Sequence, residues 1–191
     1  MKLLVKIFLE NLNKYDLDQI VNIVKMTKSN KDTEVHIVTD NIYLGENIFC
    51  YNLNTKSIPE IINYRIDKSR WDILLLITKP SLTVSGFDNL ITETYKNIFP
   101  NLDGILSLNN GTKYHNDRTI DFPVIGRNYY NKFNYIYNPS YYRKNYDLEF
   151  YEIVKQKEKL HFIEDVYLKL VLLKCEDDNI YDMRIKYNFG L

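Results

Sequence analysis

The sequence of 191 residues contains no alanine. Asn, Lys, Ile and 17 tyrosines are abundant instead, residues whose codons are AT-rich, which points to an AT-rich genome and not to any chemistry. Cysteine is nearly absent. Cys50 and Cys175 lie far apart with no C-x-x-C spacing, so no disulfide framework is written into the chain, and buried, unpaired thiols in a reducing compartment are expected. The six glycines are scattered singly, which leaves no Gly-rich phosphate loop. The three histidines, His36, His115 and His161, form no pair at metal-ligand spacing, so no zinc site is supported. No local signature accompanies a Ser-His-Asp or Cys-His nucleophile. Neither sign of charge dominates, with 25 Lys+Arg against 25 Asp+Glu. No global field therefore draws in nucleic acid or an anionic membrane, a local basic patch aside. The longest apolar run, 73–77, is far too short to cross a bilayer. The first ten residues are interrupted by Lys6 and lack a small-residue cleavage site, so they read as a strand and not as a signal peptide.

What is present is ordinary globular material: 45% hydrophobic and 26% charged residues, in a length that suits one domain over 1–191. The spacing predicts a strand over 2–9 and a helix over 16–25, with Leu17, Ile20, Val21 and Val24 on one face. A β-branched strand at 35–39 ends on the turn signal Asp40-Asn41. Ser57-Ile58-Pro59-Glu60 has the form of a capping box, opening a helix through Ile61, Ile62 and Ile66. The run 71–77 reads as a central strand buried on both faces. Beyond it come a helix over 87–99, a strand over 104–108, a short extended piece at 122–125, helices over 127–133 and 147–155, and strands at 160–163 and 167–173. Strands alternating with helices through the first hundred residues imply right-handed βαβ units and a mostly parallel twisted sheet flanked by helices, an α/β fold.

In open α/β sheets ligands bind beyond the carboxyl ends of the strands. That rule selects Asp40, the stretch 78–80 and Asn109-Asn110-Gly111. Asp40 could accept hydrogen bonds from a ribose or a base, or could be a turn carboxylate. Asp147 and Glu149 open a helix, where the dipole favours carboxylates whether or not they act. Two residues apart on a helix, they point in different directions, so a shared role is geometrically unnatural. The tyrosine-rich stretch 129–146, with Arg127, Lys132, Arg143 and Lys144, could stack on sugars or bases or simply form a packed layer.

Trp71-Asp72-Ile73-Leu74-Leu75-Leu76, Gly86-Phe87-Asp88, Phe99-Pro100-Asn101-Leu102-Asp103-Gly104, Leu108-Asn109-Asn110-Gly111, the block from Val124 to Tyr141, and Asp147-Leu148-Glu149-Phe150 form a set of segments. Together they resemble a family of small glycosyltransferases of the GT-A fold found in phages and large viruses. Glu60-Ile61-Ile62-Asn63 resembles the helix before the family's central strand, and Asp178-Asn179-Ile180-Tyr181 its closing helix. The resemblance implies transfer of a sugar from a nucleotide-sugar donor to a glycan, protein or modified-DNA acceptor. It makes Asp147 the base or acceptor-orienting carboxylate with Glu149 beside it, and puts Asp40 and Asn63 near the nucleoside. A protein of this kind would act in the cytoplasm, the host's if it is viral, with no membrane partner.

The sequence departs from the family at three places. The family's acidic pair, which holds Mn²⁺ or Mg²⁺ against the diphosphate, is replaced by Thr78-Lys79; its late histidines fall near Leu170 and Leu172; and the Arg- and Pro-containing loop after the first strand reads Phe8-Leu9-Glu10-Asn11. Asn110 stands where relatives more often carry Asp. The departures share one ligand, the donor's diphosphate, so no metal site is expected. Lys79 could substitute as a fixed cation. Two functions follow: a transferase working without a metal, or a catalytically inert module of the same fold kept for binding a protein partner.

Overall fold

The computed structural model describes residues 1–9, 14–38, 47–51, 57–68, 70–79, 81–111, 120–142 and 144–170. Asp40, His115, Arg143, Cys175 and the stretch 178–181 lie outside the described residues.

The chain begins with β1 (Leu3–Ile7), whose five side chains are all buried, followed by helix α1 (Lys14–Thr27) and strand β2 (Glu34–Val38). An edge strand, β3 (Ile48–Tyr51), precedes the short helix α2 (Ile58–Asn63). The capping box at α2 is complete: the Glu60 amide donates to Ser57 Oγ, and the Glu60 carboxylate accepts from the Ser57 amide at 3.0 Å. Ile66, expected in this helix, sits instead in a separate 3₁₀ turn, Ile66–Lys68. Central strand β4 (Ile73–Ile77) is buried throughout. After it come β5 (Ser81–Thr83), α3 (Phe87–Ile98), β6 (Ile105–Leu108) and β7 (Pro123–Gly126). The helix expected over 127–133 is only α4 (Arg127–Tyr130), and turns continue through 131–134. Helix α5 (Tyr146–Gln156) leads to β8 (Leu160–Ile163) and β9 (Leu168–Leu170).

Among the described residues, seven strands form one sheet in the order β3-β2-β1-β4-β7-β6-β8. All neighbours are parallel except β7, which runs antiparallel to both β4 and β6. Strands β5 and β9 form a separate antiparallel pair. Alternation along the strands divides the core into two layers. Leu3, Val5, Ile7, Ile73, Leu75 and Ile77 pack with Val21 and Val24 of α1 and Phe87, Ile91 and Tyr95 of α3. Leu4, Leu74 and Leu76 pack on the other face with residues of α2, α4 and α5.

Tyrosines fill much of this second layer: Tyr129, Tyr130 and Tyr137 are buried, while Tyr142 is exposed. Gly126 ends β7 where a Cβ atom would stand 2.2 Å from both the Leu102 carbonyl oxygen and the Tyr95 hydroxyl, so only glycine fits. Cys50, expected to be buried, is half-buried at the rim of the first layer, because β3 is an edge strand of the sheet among the described residues. No helix among the described residues is long and apolar enough to cross a membrane.

Candidate functional site

The strand order reverses at β1. From there the chain builds outward through β2 and β3, then returns to place β4 on the other side. A crevice at the carboxyl ends of two such strands is where α/β sheets hold ligands. Here the exit of β1 supplies Phe8, whose amide donates to the Ile77 carbonyl at 3.0 Å, and the exit of β4 supplies Thr78 and Lys79. Antiparallel β7 begins at the same edge, so the residues just before it, Ile120 and Asp121, form the next wall. The fourth side is Tyr137 together with Tyr146 and Asp147 from the start of α5. The cleft encloses about 130 Å³. Pockets that engulf drug-sized ligands are larger, roughly 300–1,000 Å³, so this one would receive only part of a nucleotide.

Lys79 and Asp147, expected at one site, line the same cleft. The lysine side chain is 47% exposed and forms an ion pair with Asp121, which is only 5% exposed. The other Asp121 oxygen accepts a 2.6 Å hydrogen bond from Asn110 Nδ2. Asn110 thus reaches the site as the clamp behind Asp121 and not as a cleft wall. A buried carboxylate needs partners, and here both of its oxygens have one. Lys79 is thereby held in place at the cleft. Asp121 follows the stretch 112–119 and belongs to no sequence motif, so nothing local singles it out.

Tyr137 is likewise a wall, and nothing in the tyrosine-rich stretch 129–146 or the block 124–141 marks it out from its neighbours. Burial, and after it the nearby Tyr146, Asp147 and Asp121, push its phenol far above the usual range, so the hydroxyl remains a proton donor.

Asn63 has a different use from the one expected. Its Nδ2 donates to the Tyr137 carbonyl at 2.6 Å and its Oδ1 accepts from the Ile136 amide at 2.7 Å. These two bonds fasten the 136–137 backbone to α2, so Asn63 positions the Tyr137 wall. Glu149 parts from Asp147, as residues two apart on a helix do. It accepts from Asn138 Nδ2 at 3.3 Å and lines a different surface.

A hard dication such as Mn²⁺ or Mg²⁺ takes several oxygen ligands, mostly carboxylates. At the exit of β4 stand a hydroxyl and an ammonium, and the oxygens of Asp121 are taken by Lys79 and Asn110. No group of three His, Cys, Asp or Glu side chains among the described residues could hold a metal. This set of donors does not fit the family's metal.

No protein-family model and no curated protein matches the sequence. Solved structures do match the fold. Residues 1–349 of Staphylococcus aureus TarS, in complex with UDP-GlcNAc, superpose with a TM-score of 0.68 at 11% identity, over 92% of this chain and 60% of that one. The fold is glycosyltransferase-like. The TarS 1–349 complex with UDP gives a TM-score of 0.68 at 10% identity, over 95% of this chain and 63% of that one. The longer S. aureus TarS structure gives 0.66 at 11% identity, with 96% of this chain covering 38% of it. The chain thus spans less than two thirds of these neighbours, and at such identity the likeness concerns the fold.

Proposed function

We propose that the cleft binds a nucleotide sugar and that the protein transfers the sugar to an acceptor hydroxyl without a metal ion. The observation that carries this reading is the meeting of the Lys79 ammonium and the Asp147 carboxylate on one cleft at the strand-order reversal. Support comes from the likeness in fold to a protein crystallised with UDP-GlcNAc and with UDP.

In this reading the acceptor oxygen forms a bond to the anomeric carbon as the bond from that carbon to the phosphate oxygen breaks. The nucleoside diphosphate leaves with the bonding electrons, and Asp147 takes the acceptor's proton. Lys79, fixed by Asp121, faces the charge that grows on the leaving group, where a preorganised cation contributes most. The alanine-free, AT-rich composition and the family resemblance fit a phage or large-virus protein of the host cytoplasm, with a glycan, protein or modified DNA base as acceptor.

Two observations favour the inert-module reading: Lys79 is already paired, and Asn63 holds backbone. A thermal scan with UDP-, GDP-, CMP- and dTDP-sugars, with and without metal, separates the two. A donor at a hundred times its dissociation constant adds about 2.7 kcal/mol to stability. Each kcal/mol is worth about 2–4 °C in a domain of this size. Lys79→Ala should remove much of the shift. Asp147→Asn should keep it while lowering transfer or donor hydrolysis. A whole panel that moves the melting point by less than about a degree would leave the inert module standing.

A further inference from the structure

One wall of the cleft carries a polar group that the fold itself does not use. Tyr137 is 4% exposed, and its carbonyl accepts from Asn63, yet its hydroxyl makes no hydrogen bond among the described residues. The hydroxyl of Tyr129, also without a partner, is sealed in the second core layer. Tyr137, by contrast, lines the cleft. The groups whose charge reaches its phenol are Tyr146, Asp147 and Asp121, and all three are cleft walls. The hydroxyl end of the ring is therefore the end turned to the cleft.

Everything behind that hydroxyl is fixed. The Tyr137 ring centroid lies 4.7 Å from that of Tyr146 at 55° and 5.3 Å from that of Phe150 at 86°. The backbone is fastened by Asn63, through the Tyr137 carbonyl at 2.6 Å and the Ile136 amide at 2.7 Å. Nor do the two neighbouring carboxylates relieve the phenol. Both oxygens of Asp121 are taken, by Lys79 and by Asn110, and Asp147 Oδ1 accepts from the Leu148 amide at 3.0 Å.

A buried donor without an acceptor costs stability. A ligand oxygen that supplies the acceptor recovers that cost, and it meets a group already held in place. The other donor of the cleft, Lys79, selects the kind of oxygen. A sugar hydroxyl donates as well as accepts and could turn to Asp147. A phosphate oxygen only accepts, so it suits an ammonium and a phenol together.

We propose that the Tyr137 hydroxyl donates a hydrogen bond to a phosphate oxygen of the ligand, alongside the Lys79 ammonium. Its use in transfer rests on the nucleotide-sugar reading: there the phenol keeps its proton and faces the phosphate oxygen that takes the bonding electrons as the bond to the anomeric carbon breaks. The contact with phosphate itself does not depend on that reading.

Calorimetric titration of the full chain with inorganic pyrophosphate, and with UDP, tests the contact. Tyr137→Phe keeps the ring and both bonds to Asn63 and removes only the hydroxyl. It should weaken binding of either ligand by about tenfold or more, the effect of losing one hydrogen bond to a charged group. Without ligand its melting temperature should be no lower than the parent's, because the hydroxyl bonds to nothing in the fold. In the parent, carbon-13 labelled at tyrosine Cζ, pyrophosphate should move one resonance that the variant lacks. Equal binding of pyrophosphate by the two proteins would overturn the proposal and leave the transferase reading standing. Failure of the parent to bind pyrophosphate would also overturn it, as would binding of neutral methyl glycosides in its place that is lost in Tyr137→Phe. If pyrophosphate binding depends on the hydroxyl while no nucleotide sugar shifts the melting point, the phosphate contact stands and the transferase reading fails.

Discussion

Lys6 lies on β1 between Leu4 and Phe8 with no exposed surface; its ammonium donates to the Tyr64 carbonyl at 2.8 Å and stands 5.5 Å from the Tyr51 ring. Burial pulls it down from 10.5 to about 7. Its register partner on β2, His36, is pulled down to about 4, first by burial and then by the charge of Lys6, with Glu34 opposing and Arg65 adding. Both shifts have the same sign for stability. Between pH 7 and 10.5 the unfolded chain holds a proton on Lys6 that the folded chain gives up, so stability rises with pH through that window. Between pH 4 and 6.5 the same is true of His36, so stability falls as acid is added. Lys6→Met should therefore raise the melting temperature at pH 6, by an advantage that shrinks as the pH is taken to 9. Melting curves of the two proteins that stay parallel across that range would show Lys6 carrying its charge in the fold without cost. At this scale the candidate site was half legible. Lys79 and Asp147 could be found because they sit at motif positions. Asp121 could not, because what distinguishes it is burial between two partners far away in sequence, Lys79 and Asn110. The opposite holds for Asn63: its motif position suggested a nucleoside contact, and tertiary structure uses it on backbone.

Among the elements, α3 is held by its own first turn. Asp88 has no exposed surface and accepts hydrogen bonds from the amides of Ser29 at 2.9 Å, Asn30 at 2.7 Å and Asn89 at 3.1 Å, and from Thr33 Oγ1 at 3.0 Å. One buried carboxylate thus ties the start of α3 to the connection between α1 and β2, with both of its oxygens satisfied. Asp88→Ala should cost about 3 kcal/mol or more, since several bonds to a charged group are lost together. In a domain this long that is a drop of roughly 6–12 °C in melting temperature. Asp88→Asn, which keeps one acceptor oxygen, should lose less. Equal melting points for Asp88→Ala and the parent would sink this account. The elements that sequence pattern identified best were those with strong local signals: the capping box of α2, the five-residue apolar run of β4, and the period of α3 ending before Pro100. Strands β3 and β5 escaped it. β3 is a half-exposed edge strand. β5 has three residues and exists because β9, more than eighty positions later, pairs with it. Neither carries enough alternating pattern to stand out before its partner is known.

At the scale of the molecule, the described strands form a sheet in which β7 runs against its neighbours, bringing Asp121 to the cleft edge and sending Gly126 to the opposite edge. Parallel order could be argued from the alternation of helices and strands. The reversal could not, because the direction of β7 is set by its pairing with β4 and β6 and not by any local pattern. The β5–β9 pair ties the cleft to the far end of the described chain. Ser81 lies two positions after Lys79, and Ser81, Leu82 and Thr83 are laddered to Leu170, Lys169 and Leu168. The Val84 amide donates to the Tyr167 carbonyl at 3.1 Å, and Asn109 Nδ2 donates to the Glu164 carbonyl at 2.7 Å. The ladder is only three residues long on each strand, and its amides trade their hydrogens for deuterium whenever it opens. A nucleotide sugar that settles on Lys79 should therefore slow deuterium uptake at 81–83 and, through the ladder, at 168–170, while the amides of β2 and β3 at the distant sheet edge keep their pace. Mass spectrometry of exchanged peptides would record that pattern, and slowing confined to 81–83 would mean that β9 does not share the fate of β5. The late strand is, in this sense, a built-in isotopic reporter of what the cleft holds.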